Sequence, residues 1–182
     1  IEIPASLVNT AYFYHVTCIM ADIAGILDKK DDEHYLRTLA ETIRKNFNAA
    51  FYNEATCHYW EGKQGADVFA LAFGLVPEGK QGKVFSALLE HLKMINYHFD
   101  TGILATPLLL KVLTENGRAD IAYKLMNQRD FPSYGYLADK KNNTLWETWN
   151  GDGNDEGCGH CHPMFGSVVA WFYNSLAGIK PN

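Results

Sequence analysis

One carboxylate in this chain stands between two indoles. Residues 143–149 read Asn143-Thr144-Leu145-Trp146-Glu147-Thr148-Trp149. An acidic, glycine-rich stretch follows, Gly151-Asp152-Gly153-Asn154-Asp155-Glu156-Gly157, and then His160-Cys161-His162-Pro163-Met164-Phe165-Gly166. Just upstream lies Phe131-Pro132-Ser133-Tyr134-Gly135-Tyr136-Leu137. Large apolar rings do not normally flank a freely solvated acid, so Glu147 is a candidate for chemistry rather than for plain surface. Flat rings stack on the C–H face of a pyranose, and acids and amides hold its hydroxyls. A carboxylate that takes a proton from water as a general base must itself be ionised.

Other chemistries compete for the same stretch. Cys158-Gly159-His160-Cys161-His162 matches the C-x-x-C-H pattern of covalent haem attachment. Cys158, Cys161 and one histidine have the ligand types for zinc, but no fourth ligand is evident. The acidic run from Asp152 to Glu156 offers oxygen ligands for calcium without the EF-hand spacing, and reads more simply as a solvated loop or a lid. The carbohydrate reading leads, with no cofactor and no metal.

The bulk numbers narrow the class. A chain of 182 residues makes one domain and hardly two. With 47% hydrophobic residues, including 10 Tyr, 10 Phe and 4 Trp, it has the material for a real core. A net charge of -5 argues against a nucleic-acid surface. No apolar run reaches the roughly 18 residues of a membrane span. The start, Ile1-Glu2-Ile3-Pro4, has no Met, basic region or apolar signal segment, and reads as the edge of a piece cut from a longer protein. Cys18, Cys57, Cys158 and Cys161 form no dense disulfide framework, and Cys18 fits a buried thiol in a helical pattern.

The elements that must position these residues are helical. Apolar spacing predicts helices over Leu7–Leu27, with Ser6 as cap, and Asp31–Phe51, with Asp31 as cap. Further helices are expected over Gln64–Gly74, Gly79–Ile95, Gly102–Glu115, Ala119–Arg129 and Pro163–Leu176, with Asn116-Gly117 ending one of them. Residues 52–63, 96–101 and 130–162 fall at junctions. About seven helices with almost no alternating strand pattern make an all-α fold, a helical-hairpin array or toroid with its loops gathered at one end.

In this order and spacing the residues resemble one family. The stretches are Leu7-Val8-Asn9-Thr10-Ala11-Tyr12-Phe13, Ala70-Leu71-Ala72-Phe73-Gly74-Leu75-Val76-Pro77 and His98-Phe99-Asp100-Thr101-Gly102-Ile103. They continue through Leu113-Thr114-Glu115-Asn116-Gly117-Arg118-Ala119, Pro132-Ser133-Tyr134-Gly135-Tyr136 and Thr144-Leu145-Trp146-Glu147. The last run from His162-Pro163-Met164-Phe165-Gly166 through Trp171-Phe172-Tyr173 to Leu176-Ala177-Gly178-Ile179. Together they resemble the C-terminal part of the (α/α)6-toroid catalytic domain of bacterial α-L-rhamnosidases, glycoside hydrolase family 78.

The resemblance implies inverting hydrolysis of terminal α-L-rhamnosides in plant or microbial glycans, with Glu147 as general base. Its general acid belongs to a segment upstream of Leu7; Glu2 lies near there without a motif. The pocket it implies is Trp146, Tyr134 and His162, with Asp100 and Thr101 near sugar hydroxyls, and with Trp60 and Trp149 as further aromatic contacts. Simpler readings stand beside these: His162 as a loop organiser at a helix start, Asp100 or Thr101 as helix caps, Trp60 as packing. The family has Asn at Cys161, and often Trp at Tyr134. Residues 1–182 would be an incomplete toroid, inactive alone, whose exposed helix faces pair with a second copy. The family suggests a periplasmic or extracellular setting. A non-catalytic carbohydrate-binding domain is the alternative.

Overall fold

The computed structural model describes residues 3–140, 144–150 and 159–179. These residues form two compact units, 3–88 and 89–179. Helices dominate both.

The first unit opens with the antiparallel pair α1 (Ala5–Ile26) and α2 (Lys30–Phe51). Leu7, Ala11, Thr17, Ala21 and Ala24 form the buried stripe of α1, and the small alanines let α2 approach with Ala40, Ile43 and Phe47. Ser6 does not cap α1; the position before the helix is Pro4, whose fixed φ suits a helix entry. Asp31 is likewise not a cap. It lies in the first turn of α2 with Asp32 and Glu33, where acids complement the helix dipole. The other side of α1 is apolar as well, with Phe13, Val16, Met20 and Ile23 exposed.

Residues 52–63, expected to be irregular, contain a two-residue hairpin. In it β1 (Tyr52–Asn53) pairs antiparallel with β2 (His58–Tyr59), Tyr52 opposite Tyr59. The Asn53 side chain accepts from the amides of Ala55 and Thr56 and closes the turn. The helix α3 (Gln64–Ala72) is buried along most of its length, Gln64 and Asp67 included. It stops at Gly74, in the left-handed region at φ 72°.

The helix α4 (Gln81–Met94) runs across the division, with Val84, Leu88 and Leu92 fully buried. In the second unit α5 (Thr106–Glu115) turns into α6 (Ala119–Met126) at Gly117, φ 74°. Arg118 N–H donates to Leu113 C=O and Gly117 N–H to Thr114 C=O, the paired bonds of a glycine-ended helix. The stretch expected as one loop from 130 to 159 contains a short helix, α7 (Tyr134–Asp139), started by buried Ser133, whose hydroxyl accepts from Tyr136 N–H.

The expected last helix is broken into α8 (Pro163–Gly166), α9 (Val168–Trp171) and a wide π turn, Phe172–Leu176. Gly166 is a weak helix former, and the Ser167 hydroxyl bonds back to Met164 C=O, so the ladder loosens there. Trp171 Nε1 then ties α9 to Thr114 of α5 at 2.8 Å.

Gly135 sits so close to the backbone of residue 128 that a Cβ would lie 2.3 Å from Gln128 O. Gly135→Ala is therefore expected to destabilise the protein by about 1–3 kcal/mol. Gly82→Ala, in open space within α4, is expected to be neutral or stabilising by up to about 1 kcal/mol. Denaturant unfolding of the two variants checks both.

Candidate active site

Residues 144–147 and 159–162 run side by side and hold one another. His162 N–H donates to Leu145 C=O at 2.8 Å, and Glu147 N–H donates to Gly159 C=O at 2.9 Å. Gly159 N–H returns a bond to Glu147 Oε2 at 2.9 Å. The Thr144 hydroxyl closes the end of this ladder on His160 C=O. Trp146 stacks on His160 with ring centroids 4.0 Å apart and planes within 9°. Glu147 is half-buried. A backbone N–H on one carboxylate oxygen orients the group.

His162 starts α8, and its Nδ1 accepts from Met164 N–H at 3.3 Å. With Nδ1 accepting, a neutral imidazole carries its proton on Nε2 and presents a donor from that edge. The organising role and a ligand-binding role are thus compatible in one residue. Gly159 separates this ring from the carboxylate. A Cβ there would lie 3.3 Å from Glu147 Oε2 and 3.6 Å from His162 Cδ2, so the missing side chain leaves room between an acceptor and a donor. A pocket of about 490 Å³ adjoins the ladder, lined by Leu137, Ala138, Thr144, Leu145, Cys161, His162, Pro163 and Gly166. A somewhat larger cavity of about 530 Å³, between α5 and α9, includes no residue of the ladder.

Three residues expected against the sugar are buried in this structure. Trp149 is buried, stacked on Phe99 at 5.0 Å and crowded by Tyr134 and Phe165, and its Nε1 donates to Thr101 C=O at 2.7 Å. Tyr134 is buried too. Its hydroxyl donates to Phe165 C=O, and burial pushes its pKa well up, so the phenol stays protonated. The Thr101 hydroxyl is fully buried against Thr106 Oγ1 at 2.7 Å, anchoring the start of α5. Indole, phenol and hydroxyl are all turned inward because burying them rigidly supports the 144–150 segment. Asp100 is more open, with Oδ2 3.7 Å from His91 Nε2. His98 bridges Ile95 C=O and Asp130, whose pKa is lowered by that bond.

Trp60 belongs to the first unit. It follows the hairpin at φ 53°, a left-handed conformation rare for a bulky residue, and 40% of it is exposed. Behind it, fully buried Asp67 accepts from Tyr59 N–H and from the His58 ring, both at 2.7 Å. Nothing in the sequence pattern signalled this pair.

Cys161 is an exposed free thiol, and Cys18 and Cys57 are also unpaired. Among the described residues no three His, Cys, Asp or Glu side chains converge as a metal site. Cys158, Glu2 and the acidic run 152–156 lie outside the described residues, and with them the haem, zinc and calcium readings. No described helix is long and apolar enough to cross a membrane.

Residues 2–176 match the family model of the bacterial alpha-L-rhamnosidase 6 hairpin glycosidase domain, and the chain belongs to this family. An alpha-L-rhamnosidase of Streptomyces avermitilis is 36% identical over 191 residues, covering 99% of this chain and 18% of the relative. The solved structure of Streptomyces avermitilis alpha-L-rhamnosidase complexed with L-rhamnose superposes with a TM-score of 0.90 at 36% identity, over 100% of this chain and 18% of that one. The structure of alpha-L-rhamnosidase from Dictyoglumus thermophilum gives 0.84 at 39% identity, over 90% and 19%. The chain thus spans less than a fifth of the length of these relatives. The expected fold class, all-α and part of a six-hairpin toroid, is borne out.

Two outcomes follow from this geometry. Gly159→Ala is expected to crowd Glu147 Oε2 and weaken the 144–147/159–162 ladder while leaving the helical fold intact; a lowered thermal midpoint with unchanged circular dichroism checks this. In the first unit, the hydrogen bond to Asp67 raises the His58 pKa above 6.5 against the opposing effect of burial. The pair's contribution to stability is therefore full below the unfolded value and lost as pH rises through the raised folded value. Asp67→Asn is expected to flatten that part of the curve of thermal midpoint against pH.

Proposed function

We propose that the protein carrying this sequence hydrolyses terminal α-L-rhamnosides with inversion, and that Glu147 is its general base. The observation that carries this reading is the Gly159 N–H bond to Glu147 Oε2, with the His162 ring across the gap, in a chain of the rhamnosidase family. In an inverting reaction a carboxylate removes a proton from the attacking water on one face of the sugar ring. A second carboxylic acid, roughly 6.5–9.5 Å away, protonates the leaving oxygen. The family resemblance assigns that acid to a segment upstream of α1.

Three parts of the ladder divide the work. The bond from Gly159 keeps one oxygen of Glu147 fixed, and the other oxygen accepts the proton of water. His162, with Nδ1 engaged by Met164 N–H, turns its Nε2 donor to a sugar hydroxyl. Trp146 supplies an aromatic face for the C–H side of the ring, and Asp100 a carboxylate for its hydroxyls. Charge builds toward an oxocarbenium-like state. Tyr134, Thr101 and Trp149 serve this pocket from behind, by holding the segment that carries Glu147.

Glu147→Gln is expected to lower kcat on an aryl α-L-rhamnoside by about 10²–10⁴-fold, with the thermal midpoint unchanged. Near-parental turnover in that variant sinks the base assignment. Saturable binding of L-rhamnose with no turnover in the parent supports a carbohydrate-binding domain instead.

A further inference from the structure

We propose that His160 is a positioning residue for the sugar platform, fixing the plane of Trp146 so that the indole meets a rhamnosyl ring squarely. This rests on the reading of Trp146 and Glu147 as site residues. The two rings lie face to face, 4.0 Å between centroids and 9° from parallel. The backbone makes that meeting obligatory. His162 N–H to Leu145 C=O, Glu147 N–H to Gly159 C=O and the Thr144 hydroxyl to His160 C=O pin the two segments on either side of the stack. Side chains opposed across paired segments interact directly.

The exposures fit this role. His160 is exposed and Trp146 is half-buried, so the imidazole shields part of the indole from solvent without being a core residue itself. A histidine ring is flat enough to stack and polar enough to remain in water. An indole ordered before the ligand arrives spares the entropy of ordering it on binding. His160 exchanges no proton in the reaction and acts through Trp146. Its removal is therefore read in binding, and the chemical step on Glu147 continues.

The test is steady-state kinetics of the protein carrying this sequence on an aryl α-L-rhamnoside, comparing His160→Ala with His160→Phe. His160→Ala is expected to raise KM about three- to tenfold, the scale of one aromatic pair, with kcat changed by less than about twofold. His160→Phe restores the stack and is expected to restore KM. An unchanged KM in His160→Ala overturns the proposal, as does a loss confined to kcat. So does a failure of His160→Phe to restore KM at a parental thermal midpoint. If the parent shows no turnover, the Kd for L-rhamnose by calorimetry decides the same comparison. Glu147→Gln runs as a separate arm: retained turnover there removes the base reading, while the comparison at residue 160 still stands or falls by itself.

Discussion

A single backbone amide organises the candidate site. Gly159 N–H bonds Glu147 Oε2, and Gly159 C=O takes the N–H of the same glutamate, so one residue grips another at both its backbone and its side chain. A free glutamate in a loop samples several rotamers, and ordering it costs free energy that a bond made in advance removes. The grip also sets the partner across the gap. Because residue 159 has no Cβ, the carboxylate and the His162 ring both approach the same point. The cap at α8 fixes which ring nitrogen of His162 accepts. Site and helix start are one construction.

Behind the ladder stands a cluster of Phe99, Tyr134, Trp149 and Phe165, with ring centroids between 4.4 and 6.0 Å apart. Each polar tip is engaged: the indole N–H on Thr101 C=O, the phenol on Phe165 C=O. Such tips, buried and paired, specify one arrangement, whereas unpaired they would cost stability. The cluster binds the 98–101 junction, α7, the 144–150 segment and α8 together. It gives the 144–150 segment a rigid seat for the candidate carboxylate.

The helices were readable because their apolar spacing is long and regular, as in α1, α2 and the α5–α6 pair with its glycine end. Their ends were less so. Ser6 and Asp31 are good capping types that lost to Pro4 and to the turn at Lys29, because entry geometry outweighs one side-chain bond. The hairpin at 52–59 is too short for alternation to register, and the last helix breaks on a glycine and a back-bonded serine within an otherwise helical pattern. Residue type picked out Glu147 between its two indoles, and the family resemblance supplied Trp146 and His162 as pocket candidates. Neither signal separates an aromatic that faces ligand from one that packs; Trp149 and Tyr134, expected against the sugar, are buried. Gly159 was silent for another reason: a glycine needed for empty space reads the same as one needed for a turn.

The most direct measurement is chemical rescue. Glu147→Ala removes the proposed base and leaves room for a small anion, and azide needs no base to attack an anomeric carbon. With an activated aryl α-L-rhamnoside, azide is expected to restore turnover and to yield the rhamnosyl azide of inverted, β configuration by NMR. Absence of rescue in a folded variant, or an azide product of retained configuration, would contradict Glu147 as the base.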